Sequence, residues 1–318
     1  MILTPVQQRK IEDDLGLNIS FIKGQDKTVR NCWHFSTDGN AVDVLFADSD
    51  EFRDAMNRIY VTVKDYNVII LAFALMDTHV HFVLHGEFDE CNRFMHEYIW
   101  RTSRYISNVR GERHKLRTVP INHQTIDTDS YLKTVICYTV RNAPVGGIPF
   151  NAYDYPWSSG PLYLREAGLW SSPRWMSEAI QTRMSAGESK KSLRVRHADE
   201  APVKMIDGIV FPGEYVAFEV VERLFKSHRA YLFFIGRNRE EDVDARGGTI
   251  SHLSIPIQEM RQHRAELCKE LFGKSSVRYL DTSQRLRLAK TLKARYNSSI
   301  KQIARLSGLV FSEVKDLI

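Results

Sequence analysis

The sequence predicts an α+β fold: an antiparallel sheet with helices packed on one face, followed by a mostly helical C-terminal region. Three observations carry this. Apolar runs of strand length alternate with longer runs of helical period, in the order strand, helix, strand, strand, helix. A polar stretch without aromatic residues, "SAGESKKSLRVRHADEAPV", interrupts the chain after that block. Beyond it a mixed segment gives way to a C-terminal part that reads as helices throughout. This divides the 318 residues into 1–180, a linker and mixed segment at 181–265, and a helical module at 266–318.

Each element has a local reason. "NCWHFSTDG" reads as a strand running into an Asp38-Gly39 turn. "DSDEFRDAMNRIYVTVKDY" reads as a helix, with Asp48 or Ser49 as its N-cap and acids in the first turn. Two strands follow, "NVIILAFALM" and "HVHFVLHG". "DECNRFMHEYIWRTSRYISNVR" then has helical period, with Phe94, Tyr98, Tyr105 and Ile106 as candidate buried positions. From Gly111 to Thr128 the chain is polar and basic and reads as a loop. "DTDSYLKTVICYTVRN" is a second helix on that sheet, closed by Pro144, Gly146 and Gly147. Further on, "AFEVVERLF" reads as a helix and "RAYLFFIG" as a strand or short helix.

Composition narrows the class. A hydrophobic fraction of 43% with 26% charged residues is that of an ordinary globular protein. The four cysteines, Cys32, Cys91, Cys137 and Cys268, form no CxxC pair, which argues for a reducing compartment and against a cysteine-rich zinc site. The longest apolar run, starting at Val68, is about half of what a membrane-spanning helix needs. The N-terminus lacks the apolar core of a signal peptide. The expectation is a cytoplasmic, nucleoid-associated protein, a monomer or a homodimer. Net charge is +5, yet residues 274–318 hold ten Lys/Arg against three acids. The tail is thus at +7 and the rest of the chain at 5 − 7 = −2. A basic tail on a near-neutral body suggests an anionic partner such as nucleic acid, or else a solvated helical face.

The chemistry-bearing residues sit in the third strand and in the helix that follows the polar, basic loop. Residues i and i+2 of a strand share a face, so His79 and His81 point one way while Val80, Phe82 and Leu84 point the other. Two neutral imidazoles can hold a divalent cation given a third ligand, or they can be ordinary surface histidines. Tyr138 and Asn142 are four apart and share a helical face. A tyrosine becomes a useful nucleophile when a metal polarises the phosphate it attacks. Packing in the core is the other reading of Tyr138, and of Tyr131 seven residues before it.

The runs "ALMDTHVHFVL", "YTVRNAPVGG" and "DYPWSSGPLYL", in this order and spacing, resemble the single-tyrosine HUH transposases, and more narrowly the REP-associated tyrosine transposases. In that family a His-hydrophobe-His strand is followed by a helix ending in a Tyr-x-x-x-Asn-Pro-Val-Arg-Ala-Gly-like run, then by Tyr-x-Trp-Ser-Ser. The likeness covers roughly residues 25 to 170, and "WHFSTDGN" is similar to the family's first strand. It implies a ferredoxin-like, RRM-like HUH domain. It also implies His79, His81 and Asn142 as ligands of Mg²⁺ or Mn²⁺ and Tyr138 as the nucleophile. The implied reaction is nicking and strand transfer of single-stranded or hairpin DNA through a 5′-phosphotyrosine, with no nucleotide cofactor. Asp77-Thr78 stand where Pro-Asn is usual, and "NAPVGG" lacks an arginine of the pattern. Those departures leave a second reading, a domesticated protein that binds DNA without cutting it. A histidine-triad nucleotide hydrolase is disfavoured by Val83, where that family has its third histidine.

Substrate grip is expected from "YIWRTSRYISNVRGERHKLR", whose Arg101, Arg104, Arg110, Arg113, Lys115 and Arg117 would contact phosphates while its aromatics stack on bases. The C-terminal "SQRLRLAKTLKARYNSSIKQIARLSGLVFSEVKDLI" resembles a helix-turn-helix, with Ala304, Gly308 and Val314 at the small, turn and buried positions. The helix from Ser312 would read bases, but it carries Glu313 and Asp316 with only Lys315. The basic helix from Ser283, with Arg285, Arg287, Lys290 and Lys293, would grip the backbone instead.

Overall fold

The computed structural model describes residues 1, 3–19, 26–39, 44–111, 118–145, 155–164, 180–183, 202–235, 257–274, 276–296 and 300–309, with isolated positions 185, 187, 188, 190 and 193. The chain divides into two compact units. One is Met1–Arg141 with Asn151–Arg239, and the other is Asn142–Phe150 with Glu240–Ile318.

The first unit opens with helix α1 (Pro5–Asp14), which the sequence reading passed over. Its signal is compact: Thr4 and Gln7 form a reciprocal capping box, and Pro5 sits where a missing N–H costs nothing. Strand β1 (Thr28–Thr37), helix α2 (Ser49–Val63), strands β2 (Ile69–Leu75) and β3 (Val80–His85), and helix α3 (Phe88–Arg110) then follow the predicted order. Asp48 is the N-cap of α2, accepting from the N–H groups of Asp50 and Glu51. Gly111 ends α3 in the left-handed conformation that glycine adopts without strain.

The expected loop before residue 128 is corrected in part: Ile121–Thr128 is a strand, β4. It pairs with β1 from Thr37↔Ile121 to Cys32↔Ile126. Only Gln124 and Ile126 of this edge strand are buried, so its composition stays polar and no alternation of apolar residues announces it. Helix α4 (Asp129–Val145) completes the block. All pairings are antiparallel, and the strand order is β2-β3-β1-β4.

Register assigns the two faces of the sheet. Phe35 lies opposite Phe82, which lies opposite Phe73, while Ser36 lies opposite His81, which lies opposite Ala74. The Phe82 face packs on α3, with the Phe82 ring 5.6 Å from Phe94 and 5.1 Å from Tyr98. The helices are not confined to that face. α4 brings Tyr138 to the His81 ring, and α1 brings Asp14 to His85, both on the opposite side. β3 is therefore buried on both faces, and its two imidazoles are covered.

The outer edge of β2 is also closed. Trp157 O accepts from Leu75 N–H, Ser159 N–H donates to Phe73 O, and the Tyr155 and Tyr163 hydroxyls donate to Leu75 O and Leu71 O. The "YPWSSG" run thus caps an exposed strand edge, and Trp157 stacks on Phe52. As far as Arg239, the segment expected to serve as linker and mixed middle region also belongs to this unit. Strands β5 (Ile180–Arg183), β6 (Pro202–Ile206) and β7 (Ile209–Val210) form a second antiparallel sheet. Asn57 of α2 holds this sheet through Gly208 O and Val210 N–H. Ala217 N–H donates to Ile70 O just before helix α5 (Phe218–Phe225), and "RAYLFFI" falls in helix α6 (His228–Ile235).

In the second unit, helices α7 (Ile257–Phe272), α8 (Thr282–Tyr296) and α9 (Ile300–Ser307) share a core of Leu267, Cys268, Leu288, Leu292, Ile303 and Leu306. Gly308 follows α9 with φ of 68°. The helix expected from Ser312, with Val314, lies outside the described residues.

Candidate active site

The turn between β2 and β3 sets His79. Its carbonyl accepts from Met76 N–H, and its Nδ1 lies 2.8 Å from Thr78 Oγ1. Gly39 presses on the same ring, since a Cβ there would sit 3.0 Å from Nδ1. His79 is half-buried, at the mouth of the site. His81 is inside β3 and buried, with its ring centroid 4.7 Å from that of His79.

A third imidazole, absent from the sequence expectation, joins them. His34 of β1 places Nε2 at 3.1 Å from His81 Nδ1. The two ring planes differ by 9° and their centroids are 5.2 Å apart. That separation exceeds the N···N distance by about two ring radii, so the rings lie edge to edge in one plane. Tyr138 of α4 stands across this pair, at 5.6 Å from His81 and 5.8 Å from His34, perpendicular to both. Tyr138 is half-buried, whereas Tyr131 is buried. The structure therefore brings His79, His81 and Tyr138 together, with His34 as an added member. Asn142 lies one turn beyond Tyr138 on α4; its side chain is outside the described residues.

Burial sets the protonation of the cluster. It holds His34 down to about 4, against the opposing effect of a hydrogen bond with Gln124. His81 is pushed well below the usual imidazole range by burial, then by the neighbouring His79 and His34. Both rings are neutral at pH 7, the form that coordinates metals. Among the described residues no group of three His, Cys, Asp or Glu side chains is arranged to hold a metal ion.

The basic residues divide sharply. Arg101 is held by Asp65 at 2.7 Å and Glu97 at 2.6 Å. Arg110 makes a forked pair with buried Glu51, at 2.8 and 2.6 Å. Their guanidiniums are thus engaged by carboxylates, Glu97 one helical turn away and Asp65 and Glu51 distant in sequence. Arg104 is exposed and lies over the Trp100 ring at 5.3 Å. Both are on α3, in the layer opposite Tyr138. Arg113, Lys115 and Arg117 lie outside the described residues. In the second unit Arg285 donates to Leu280 O and Gly308 O, so it fastens a turn. Arg287 is exposed over Phe272, Lys290 is exposed and Lys293 is half-buried.

No protein-family model and no curated protein matches the chain. Among solved structures, one of a REP-associated tyrosine transposase bound to a REP hairpin is similar to it at 13% identity. The match covers 48% of this chain and 90% of that one, with a TM-score of 0.35. Among the described residues no helix is long and apolar enough to cross a membrane.

Proposed function

We propose that the chain is a metal-dependent single-stranded DNA endonuclease and strand transferase of the single-tyrosine HUH class, acting through a covalent 5′-phosphotyrosine. The observation that carries the reading is Tyr138 standing across the plane of His34 and His81, with His79 beside them. The order β-α-β-β-α-β with strands 2-3-1-4 supports a ferredoxin-like reading of the sheet.

His79 and His81, with Asn142 as the expected third donor, would hold Mg²⁺ or Mn²⁺. Both Nδ1 atoms face partners inside the protein, so Nε2 is the nitrogen each ring would offer. The cation supplies, when bound, neutralisation of charge on the scissile phosphate. Tyr138 bonds its oxygen to phosphorus as the P–O3′ bond breaks, and its proton ends on the released 3′-hydroxyl. Reversal with a different 3′-hydroxyl joins new ends, which needs no nucleotide cofactor. α4 holds the nucleophile, and the cover over the sheet limits water at the reacting bond. The substrate is single-stranded or hairpin DNA, with Arg104 and Trp100 as one contact pair and Arg287 and Lys290 as another.

Incubation with end-labelled hairpin DNA and Mn²⁺ should give a covalent adduct that is absent in Tyr138→Phe. Equal adduct in that variant sinks the assignment. The exposed Arg287 and Lys290 favour a second reading, binding of DNA without cleavage, which predicts retention of DNA in EDTA and no adduct under any condition.

A further inference from the structure

The imidazole face of the sheet is open at one end. Directly opposed residues of antiparallel strands share a face. One register row therefore crosses all four strands on that face: Ala74 of β2, His81 of β3, Ser36 of β1 and Asn122 of β4. The neighbouring row, Ala72, Val83, His34 and Gln124, is buried throughout. In the first row only Ala74 and His81 are buried, while Ser36 and Asn122 are half-exposed, as are His79 and Tyr138. Along this row the face is closed at β2 and open toward β4.

The two open positions carry uncommitted polar atoms. Elsewhere on this face His34 meets His81, and Asp14 meets His85 and Asn31. Among the described residues neither the Ser36 hydroxyl nor the Asn122 amide makes a hydrogen bond. Their backbones are nevertheless fixed. Ser36 is paired on both sides, and next to it Thr37 Oγ1 accepts from Val80 N–H at 3.0 Å. Adjacent strands lie about 4.8 Å apart, so Ser36 stands roughly one strand spacing from His81 and Asn122 roughly two. Polar groups held in place on rigid strands, with donors still free, are prepared to receive a ligand. Their chemistry divides the task. A hydroxyl can donate to a phosphate oxygen, which only accepts, whereas an amide both donates and accepts, as sugars and base edges do.

We propose that Ser36 and Asn122 are substrate-positioning residues: Ser36 donates to a non-bridging oxygen of the scissile phosphate, and Asn122 holds the adjoining nucleotide further along the row. The single strand then lies across the sheet, from Tyr138 and His81 toward the β4 edge. The inference rests on the proposed reaction at Tyr138, but the grip itself is measurable without cleavage. Two hydrated side chains with no role would leave DNA binding untouched.

The test uses the full chain and a hairpin DNA with single-stranded flanks, first in the Tyr138→Phe background with EDTA, where no strand is cut. Ser36→Ala should weaken binding at least about tenfold and Asn122→Leu at least about threefold, the loss of a hydrogen bond to a charged and to a neutral group. The urea midpoint should stay unmoved in both. With Tyr138 intact and Mn²⁺ present, Ser36→Ala should slow adduct formation at saturating DNA. Asn122→Leu should raise the DNA concentration that gives half the maximal rate. Ser36→Thr keeps the hydroxyl and should restore both affinity and rate, which a merely structural role would not require. Unchanged affinity in either variant overturns the proposal for that residue, as does a loss that follows a lowered urea midpoint. The two readings fail separately. Weakened binding by both variants of a protein that forms no adduct upholds the grip and removes the strand transferase. Adduct formation that ignores both variants does the reverse.

Discussion

The two faces of the four-stranded sheet both carry buried side chains and are chemically opposite. On one, Phe35, Phe73, Phe82 and Leu84 are buried, and Phe82 meets Phe94 and Tyr98 of α3. On the other, His34, His81, His85 and Gln124 lie under α4 and α1, and every polar group needs a specific partner. Burial of an apolar ring stabilises the fold, whereas burial of an imidazole costs free energy unless hydrogen bonds offset it. The comparison teaches that one strand, β3, packs apolar side chains with its even positions and buries the imidazoles of His81 and His85 on its odd ones.

The sharpest way to break that division is to cut each face separately. Phe82→Ala should cost about 3–5 kcal/mol in urea denaturation. His79→Ala, at the half-exposed mouth, should leave the denaturation midpoint nearly unmoved while adduct yield falls beyond detection. If His79→Ala unfolds the protein as readily as Phe82→Ala, the two faces are not functionally distinct.

Acid should weaken the imidazole face. Burial lowers the values of His34, His81 and His85, that of His34 to about 4. Unfolded chains take up these protons near pH 6.5 and the folded protein does not. The contribution to stability is therefore complete above about pH 6.5 and is lost as pH falls toward 4. For His34 the loss is roughly 3 kcal/mol. Asp14 adds a loss further down. Burial raises its value, but hydrogen bonds from Asn31 and His85 outweigh burial and hold it below the usual carboxylate range. Urea titrations between pH 7 and 4 check this, and His85→Gln should flatten part of the slope.

A smaller effect comes from the apolar side, where one ion pair ties α2 to α3. Glu51 accepts from Arg110 and from Ala47 N–H in a buried position. Glu51→Gln should destabilise by about 2 kcal/mol without changing adduct formation per folded molecule. A loss of DNA binding in that variant would return Arg110 to the substrate.

Much of this was legible in the sequence, for identifiable reasons. Apolar runs of strand length exposed β1 to β3, Asp48 marked the start of α2, and the three ordered motifs that carry the family resemblance named Tyr138 as the nucleophile candidate. His34 was not legible, because "CWHFS" holds one histidine whose partner is fixed by strand register 47 residues away. Arg110 and Glu51 are 59 apart and reveal their pairing only when α2 packs on α3. β4 hid for the opposite reason: an edge strand with two buried positions carries almost no pattern. Thr4 and Gln7, by contrast, displayed a capping box that marks α1 in the sequence itself.

The central claim, that Tyr138 is the group which bonds to DNA, is tested most directly by mapping the adduct. Trypsin releases Thr134–Arg141, "TVICYTVR", a peptide whose single tyrosine is Tyr138, while Tyr131 falls in the preceding fragment. Mass spectrometry of the nuclease-trimmed adduct should place a 5′-phosphonucleotide on that peptide and nowhere else. Modification at Tyr131 or any other tyrosine, or a DNA-cleaving protein with no modified peptide, would contradict the account.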